Sequence, residues 1–188
     1  FDWVAHPALL LQAIHDYSGT LCWLPNFAYN HMARRIRQRD TEALSLASMR
    51  AFINCSEPVR DDSQQKFLER FADSGMTKDK FAVSYAMAEN TFAVTQTAIG
   101  AYPQIDTINP ITLQEEKVAK ISADGIKIVS CGVVLENTAI QVIDDNQKTV
   151  AERHIGEILI KSDCMLNSYH NRPDLEPFLD GWYRTGLP

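Results

Sequence analysis

Three short apolar runs, separated by segments of helical periodicity, constrain this chain more than any other feature. The runs are residues 20–24, 49–54 and 81–84. Between and around them, apolar residues recur three and four apart: Leu9, Leu10, Ala13, Ile14 and Tyr17, then Ala28, Met32 and Ile36, then Phe67, Leu68 and Phe71. The short runs read as buried strands and the periodic segments as helices. Pro7 suits a first turn and Gly19 a stop, Asn26 is a candidate cap, Asp61 or Asp62 opens the third helix, and Gly75 closes it. A further helix is expected from Ala88 onward. Strands alternating with helices imply a mainly parallel sheet covered on both faces.

The pattern changes near Gly100. Residues 101–126 carry two prolines and weak periodicity and read as a long connection. From Ile126 the signals are β: residues 139–143 alternate, Asp144-Asp145-Asn146 is a turn, and residues 157–161 form another strand. The expected fold class is α/β. Part of a parallel sheet with flanking helices occupies residues 1–100, a connection 101–126, and part of a small β-barrel-like subdomain 127–188.

Composition narrows the function classes. Of 188 residues 45% are hydrophobic, enough for one ordinary core or for one domain and part of another. The net charge of −6 opposes a nucleic-acid surface, which needs a basic face. Arg34, Arg35, Arg37 and Arg39 cluster, but spread over a helix they read as a solvated face. No run of about 18 apolar residues is available to span a membrane. Cys22, Cys55, Cys131 and Cys164 show no zinc spacing, and three of the four lie in apolar or strand-like surroundings, which suits reduced buried thiols in a cytoplasmic protein. Opening on Phe1 without an initiator Met, the chain reads as a piece of a longer protein.

Ligands of a parallel α/β sheet sit outside the carboxyl ends of its strands. Three such ends carry Pro25-Asn26-Phe27-Ala28-Tyr29-Asn30, Cys55-Ser56-Glu57-Pro58-Val59-Arg60 and Tyr85-Ala86-Met87-Ala88-Glu89-Asn90. Small residues let a flat ligand approach the backbone, an aromatic offers a stacking face, and Glu89 is a hard oxygen ligand suited to Mg²⁺. The same residues have a plainer reading, which composition and spacing favour: Tyr85 as a strand-end aromatic, Glu89 as a helix-start carboxylate, and residues 55–58 as an ordinary turn. A phosphate loop, a nucleophile elbow and the Gly-x-Gly-x-x-Gly turn of dehydrogenases are all missing from the sequence.

Five segments, in order, resemble motifs of the adenylate-forming superfamily of acyl-CoA synthetases, fatty acyl-AMP ligases, luciferases and peptide-synthetase adenylation domains. SYAMAEN (84–90) resembles its Tyr-Gly-x-Thr/Ala-Glu motif, and INCSEPVR (53–60) its adenine-side loop. VSCGVVLENTAIQVID (129–144) resembles the entry to its β subdomain, GEILIKSDCMLNSYHNRP (156–173) its Gly-Glu segment and Gly-Tyr turn, and GWYRTG (181–186) the start of Tyr-Arg-Thr-Gly-Asp. PNFAYN (25–30), preceded by HPALLLQAI (6–14), looks nearest to the fatty acyl-AMP ligase and long-chain acyl-CoA synthetase branches.

The resemblance implies an ATP-dependent enzyme that makes an acyl-adenylate from a fatty carboxylic acid and passes the acyl group to coenzyme A or to the phosphopantetheine thiol of an acyl carrier protein. It implies that Tyr85 stacks on adenine, that Ser56, Glu57 and Pro58 line the adenine slot, that Ala86 and Met87 adjoin the nucleotide, that Glu89 is the catalytic Mg²⁺ ligand, and that Phe27 and Ala28 border the acyl chain. Three departures matter: Ala86 and Ser168 stand where the family has Gly, and Leu187-Pro188 follow Gly186 where it has Asp. With no phosphate loop and no ribose-binding Asp, the chain alone is expected to be inactive, and a non-catalytic binding module that keeps the fold is the alternative. Residues 97–128 read either as an ordinary connection or as an insertion of the acyl-AMP ligase kind.

Overall fold

The computed structural model describes residues 2–187. Its α-helices are α1 (Asp2–Ala5), α2 (Ala8–Tyr17), α3 (Asn26–Arg35), α4 (Asp61–Phe71) and α5 (Pro110–Glu115). Its strands are β1 (Leu21–Leu24), β2 (Ala51–Asn54), β3 (Phe81–Ala86), β4 (Ala93–Gln96), β5 (Ile105–Ile108), β6 (Ile126–Val129), β7 (Val133–Val134), β8 (Thr138–Ile143), β9 (Glu157–Ser162), β10 (Phe178–Leu179) and β11 (Trp182–Arg184). They form sheets ordered β1-β2-β3-β4-β7, β10-β11-β9-β8 and β5-β6. The chain divides into two units: residues 1–85, 96–105 and 128–133 form the first, and residues 86–95, 106–127 and 134–188 the second.

In the first unit β1 pairs β2 and β2 pairs β3, both parallel, with Leu21 opposite Ala51 and Phe52 opposite Phe81. Side chains alternate across β2. Phe52 enters the main core with Phe81, while Ala51 and Ile53 pack with Ala82 as a second buried set. The helices contribute Leu11 and Ile14 from α2, Ala28, Tyr29 and Met32 from α3, and Phe67 and Phe71 from α4, all at the spacing that makes one helix face. Phe67 is the hub: its ring lies 5.3 Å from Tyr29, 5.3 Å from Phe52 and 4.6 Å from Phe71. Gly132 in this unit is left-handed (φ 88°), and a Cβ there would stand 2.1 Å from the Gln96 carbonyl carbon. Any side chain at this position would have to displace backbone.

In the second unit β8 pairs β9 antiparallel, with Ile140 opposite Ile160, and β11 pairs β9 with Tyr183 also opposite Ile160. Ile143, Leu159, Ile160 and Tyr183 are its buried side chains on these strands. The Asp144 carboxylate closes the turn after β8, accepting from the Asn146 and Lys148 amides at 2.8 and 2.9 Å. A Cβ on Gly156 would meet the Ile143 carbonyl oxygen at 2.2 Å, so glycine is needed where β9 begins beside β8.

Several expectations change. β1 is an edge strand with Leu21 and Trp23 exposed, not a buried one, because it stands at the end of the sheet order. Ser18, with φ 51°, takes the left-handed position after α2 rather than Gly19. The segment from Ala88 is a three-residue 3-10 turn followed by β4, not a helix. Thr91, at φ 62°, ends that turn, and the Met87 amide donating to the Phe92 carbonyl at 2.8 Å folds the chain back. Residues 101–126 contain β5 and α5. Asn109 caps α5, accepting from the Ile111 and Thr112 amides with Pro110 in the first turn. Only Cys55 is a buried cysteine; Cys22 is half-buried and Cys131 and Cys164 are exposed, all four being free thiols. The β portion is an open four-stranded sheet, with no closed barrel among the described residues.

Candidate functional site

In the first unit, the loops after β1 and β2 are tied together. Asn26 is the first residue of α3, and its side chain does not cap that helix. Its Oδ1 instead accepts from the Arg60 amide at 3.0 Å and from Asn54 Nδ2 at 3.2 Å, and its Nδ2 donates to Ser63 Oγ at 3.1 Å. Asn30 Nδ2 donates to the same Ser63 oxygen at 2.6 Å. The α3 N-terminus is served from the other loop: the Phe27 amide donates to Glu57 Oε1 at 2.5 Å. A carboxylate there satisfies an orphan N–H and lies at the positive end of the helix dipole.

The predicted residues fall at this junction with different exposures. Ser56, Glu57 and Pro58 are exposed, and Ser56 holds a left-handed φ of 73°. Phe27 is 46% exposed, stacked on Trp3 with centroids 6.0 Å apart. Ala28 is fully buried in the core. With Phe27 exposed and Ala28 buried, the structure does not bring the two onto one surface. Tyr85, half-buried near the end of β3, closes the first segment of this unit.

In the second unit, Ala86, Met87 and Glu89 are half-buried. Ala86 keeps extended backbone and Ser168 is not left-handed, so the backbone at neither position requires glycine. The Glu89 carboxylate has two phenols in its surroundings that spacing did not reveal. Tyr169 donates to Glu89 Oε1 at 3.1 Å, and the Tyr183 hydroxyl lies 2.8 Å from that of Tyr169. Both tyrosines fall inside recognisable motifs, but Tyr169 is 80 residues from Glu89 along the chain, and no local signal joins them.

Among the described residues there is no group of three or more His, Cys, Asp or Glu side chains able to hold a metal on their own. One carboxylate fits Mg²⁺ nonetheless, since that ion keeps several waters and takes one or two carboxylates plus substrate phosphates. Among the described residues no helix is long and apolar enough to cross a membrane.

The profile of the AMP-binding enzyme family matches residues 2–170, and the chain belongs to that family. It is 29% identical, over 85% of its length and 26% of the relative's, to a long-chain-fatty-acid–AMP ligase of Mycolicibacterium smegmatis. It is 27% identical, over 88% of its length and 29% of the relative's, to a medium-chain-fatty-acid–[acyl-carrier-protein] ligase of Moorena producens. Among solved structures, the fatty acid AMP ligase of Legionella pneumophila superposes with a TM-score of 0.91 at 27% identity, over 99% of this chain and 34% of that one. A fatty acyl-adenylate ligase of the same organism, in complex with acyl adenylate and pyrophosphate, gives 0.89 at 26%, over 98% and 34%. The chain therefore spans about a third or less of the length of these relatives.

Proposed function

We propose that these residues are part of an ATP-dependent enzyme that converts a fatty carboxylic acid to its acyl-adenylate. The observation that carries the reading is Glu89, presented on a tight turn at the end of β3 within a chain of the AMP-binding enzyme family. Supporting it, the similar ligases act on long- and medium-chain fatty acids, and a similar structure holds acyl adenylate with pyrophosphate. In this reading Tyr85 stacks on adenine, Ser56, Glu57 and Pro58 line the adenine slot, and Ala86 and Met87 adjoin it. Phe27 borders the acyl chain with Ala28 behind it. Residues 1–100 supply the adenine and acyl side, 101–126 the connection, and 127–188 the β portion.

The chemistry is a displacement: a substrate carboxylate oxygen attacks the α-phosphorus of ATP and pyrophosphate leaves. Little covalent help is required, so positioning and charge stabilisation dominate. Mg²⁺, when bound, neutralises charge on the phosphates. Glu89 would hold that ion, and the linked loops around Asn26 and Glu57 would fix the nucleotide and acyl segments of the first unit. A thiol then attacks the acyl carbonyl and AMP leaves, giving a thioester, with a carrier protein's phosphopantetheine favoured over coenzyme A. Residues 97–128 serve here as the insertion of the acyl-AMP ligase kind.

In the full-length protein, Glu89→Gln should lower fatty-acid-dependent ATP–pyrophosphate exchange about 100-fold, with the thermal midpoint kept. Exchange at the wild-type rate under limiting Mg²⁺ would refute the assignment. Residues 1–188 alone should show only background exchange; acid-dependent exchange by them would refute that part. With ATP, a long-chain acid and coenzyme A, accumulated acyl-AMP supports the ligase reading, while stoichiometric acyl-CoA makes the protein an acyl-CoA synthetase.

A further inference from the structure

The segment that follows β9 is built around the turn that carries Glu89. The Leu166 amide donates to the Glu89 carbonyl at 2.7 Å, and the Thr91 hydroxyl donates to the Cys164 carbonyl at 2.8 Å. Inside the turn, Asn90 is buried and its Nδ2 donates to the Ala93 carbonyl at 2.9 Å. Thr91 is meanwhile held at a positive φ of 62°. A non-glycine residue persists in that conformation only where its surroundings impose it. Cys164 and Leu166 thus hold the backbone at Glu89 and just after it, and Tyr169 of the same segment reaches its carboxylate.

The direction of the hydrogen bonds follows from counting protons. A phenol has one hydrogen. The Glu89 carboxylate can only accept, so the Tyr169 hydrogen goes to Glu89 Oε1, and Tyr183 must then donate across the 2.8 Å to the Tyr169 oxygen. The chain runs Tyr183 to Tyr169 to Glu89, each donor strengthening the next. Tyr183 is itself buried and opposite Ile160 in the sheet, which anchors the far end of the chain on β11. One carboxylate oxygen thereby accepts the phenol hydrogen.

We propose that Tyr169 is a positioning residue for Glu89, fixing the carboxylate rotamer so that Oε2 is presented to a phosphate-bound divalent cation, with Tyr183 orienting Tyr169. The proposal rests on the reading of Glu89 as the cation-facing carboxylate. Partners of this kind, which orient a metal's ligand from behind, typically cost roughly 10- to 100-fold in metal affinity or activity when removed.

The test uses the full-length protein, Mn²⁺ as probe and α,β-methylene-ATP as a nucleotide that cannot react, with bound Mn²⁺ read by electron paramagnetic resonance. Tyr169→Phe should raise the Mn²⁺ dissociation constant roughly 10-fold, with the thermal midpoint within about 2 °C of wild type. Tyr183→Phe, which keeps the direct bond to Glu89, should raise it about threefold. Glu89→Gln should raise it at least as much as Tyr169→Phe. If Tyr169→Phe binds Mn²⁺ like wild type while Glu89→Gln binds it weakly, the positioning role is wrong and the Glu89 assignment stands. If Glu89→Gln also binds like wild type, the assignment fails and takes this proposal with it. Should Tyr169→Phe melt well below wild type, Tyr183→Phe decides: normal Mn²⁺ affinity in a folded Tyr183→Phe variant overturns the phenol chain.

Discussion

The two units are held together by different means. In the first, β2 is buried along its whole length and β3 over its first four residues, with four aromatic rings meeting around Phe67. In the second, β8 has one buried residue and β9 two, and polar contacts carry much of the order: Glu157 with Arg184, Asp144 with its turn, Tyr169 with Glu89. Parallel strands need cover on both faces, whereas an antiparallel sheet can leave one face to water. The first unit is therefore sensitive to lost volume, and the second to lost hydrogen bonds as well as volume.

The sharpest way to break this contrast is to delete volume in each unit of the 188-residue chain. Phe67→Ala should cost about 3–5 kcal/mol and Ile160→Ala about 2–4 kcal/mol, because Phe67 is enclosed by rings while Ile160 lies in a thinner layer. Hydrogen exchange read by mass spectrometry should show faster exchange in residues 51–86 for the first variant and in 138–184 for the second. Equal costs would show that the second unit is packed as tightly as the first.

Asn26→Ala tests whether polar contacts matter in the first unit too. It strands the Arg60 amide and the Asn54 amide group, and should cost about 1–3 kcal/mol in denaturant melts. Asn26→Asp should recover part of that loss, since a carboxylate still accepts both bonds. A neutral Asn26→Ala would mean that the hydrophobic core alone fixes the two loops.

The smallest effect is expected at Glu157. Hydrogen bonding and charge from Arg184 and the Gly186 amide hold its carboxyl below the ordinary value of 4.5. The ionised form thus stabilises the fold fully above that ordinary value, and the contribution is lost as pH falls through the lower folded-state value. Both groups are partly exposed, so water and salt screen the pair. Glu157→Gln should lower Tm by about 1–2 °C at pH 7. The difference from wild type should shrink as the pH is taken below about 4. A gap that stays constant with pH would assign the effect to packing.

Much of the fold could be read along the chain because its signals are local. Apolar spacing placed α2 and α3 to within a residue or two and the start of α4, which ends at Phe71 with a 3-10 turn before Gly75; short apolar runs placed β1, β2 and β3. Asn109-Pro110 carried a cap signal for α5 that weak periodicity obscured. The false helix after Ala88 has a local cause as well: Ala88 and Glu89 suit a helix start, but the buried Asn90 and the positive φ of Thr91 turn the chain into β4.

By itself, then, the sequence determined the α/β class, the order of most elements, the family to which the chain belongs and the candidate positions from Phe27 to Glu89. Which of those positions touch what was decided by tertiary structure. Asn26 looked like a helix cap and became the link between two loops, because Asn54, Arg60 and Ser63 arrive beside it only when β1, β2 and α4 assemble. Ala28 and Phe27 are neighbours in the chain, yet one is buried in the core and the other is exposed. Glu89 acquires Tyr169 from 80 residues away. Periodicity reports which face of an element is apolar, a property of neighbours in sequence. A hydrogen bond between distant side chains depends on register and packing, and these exist only once the elements have come together.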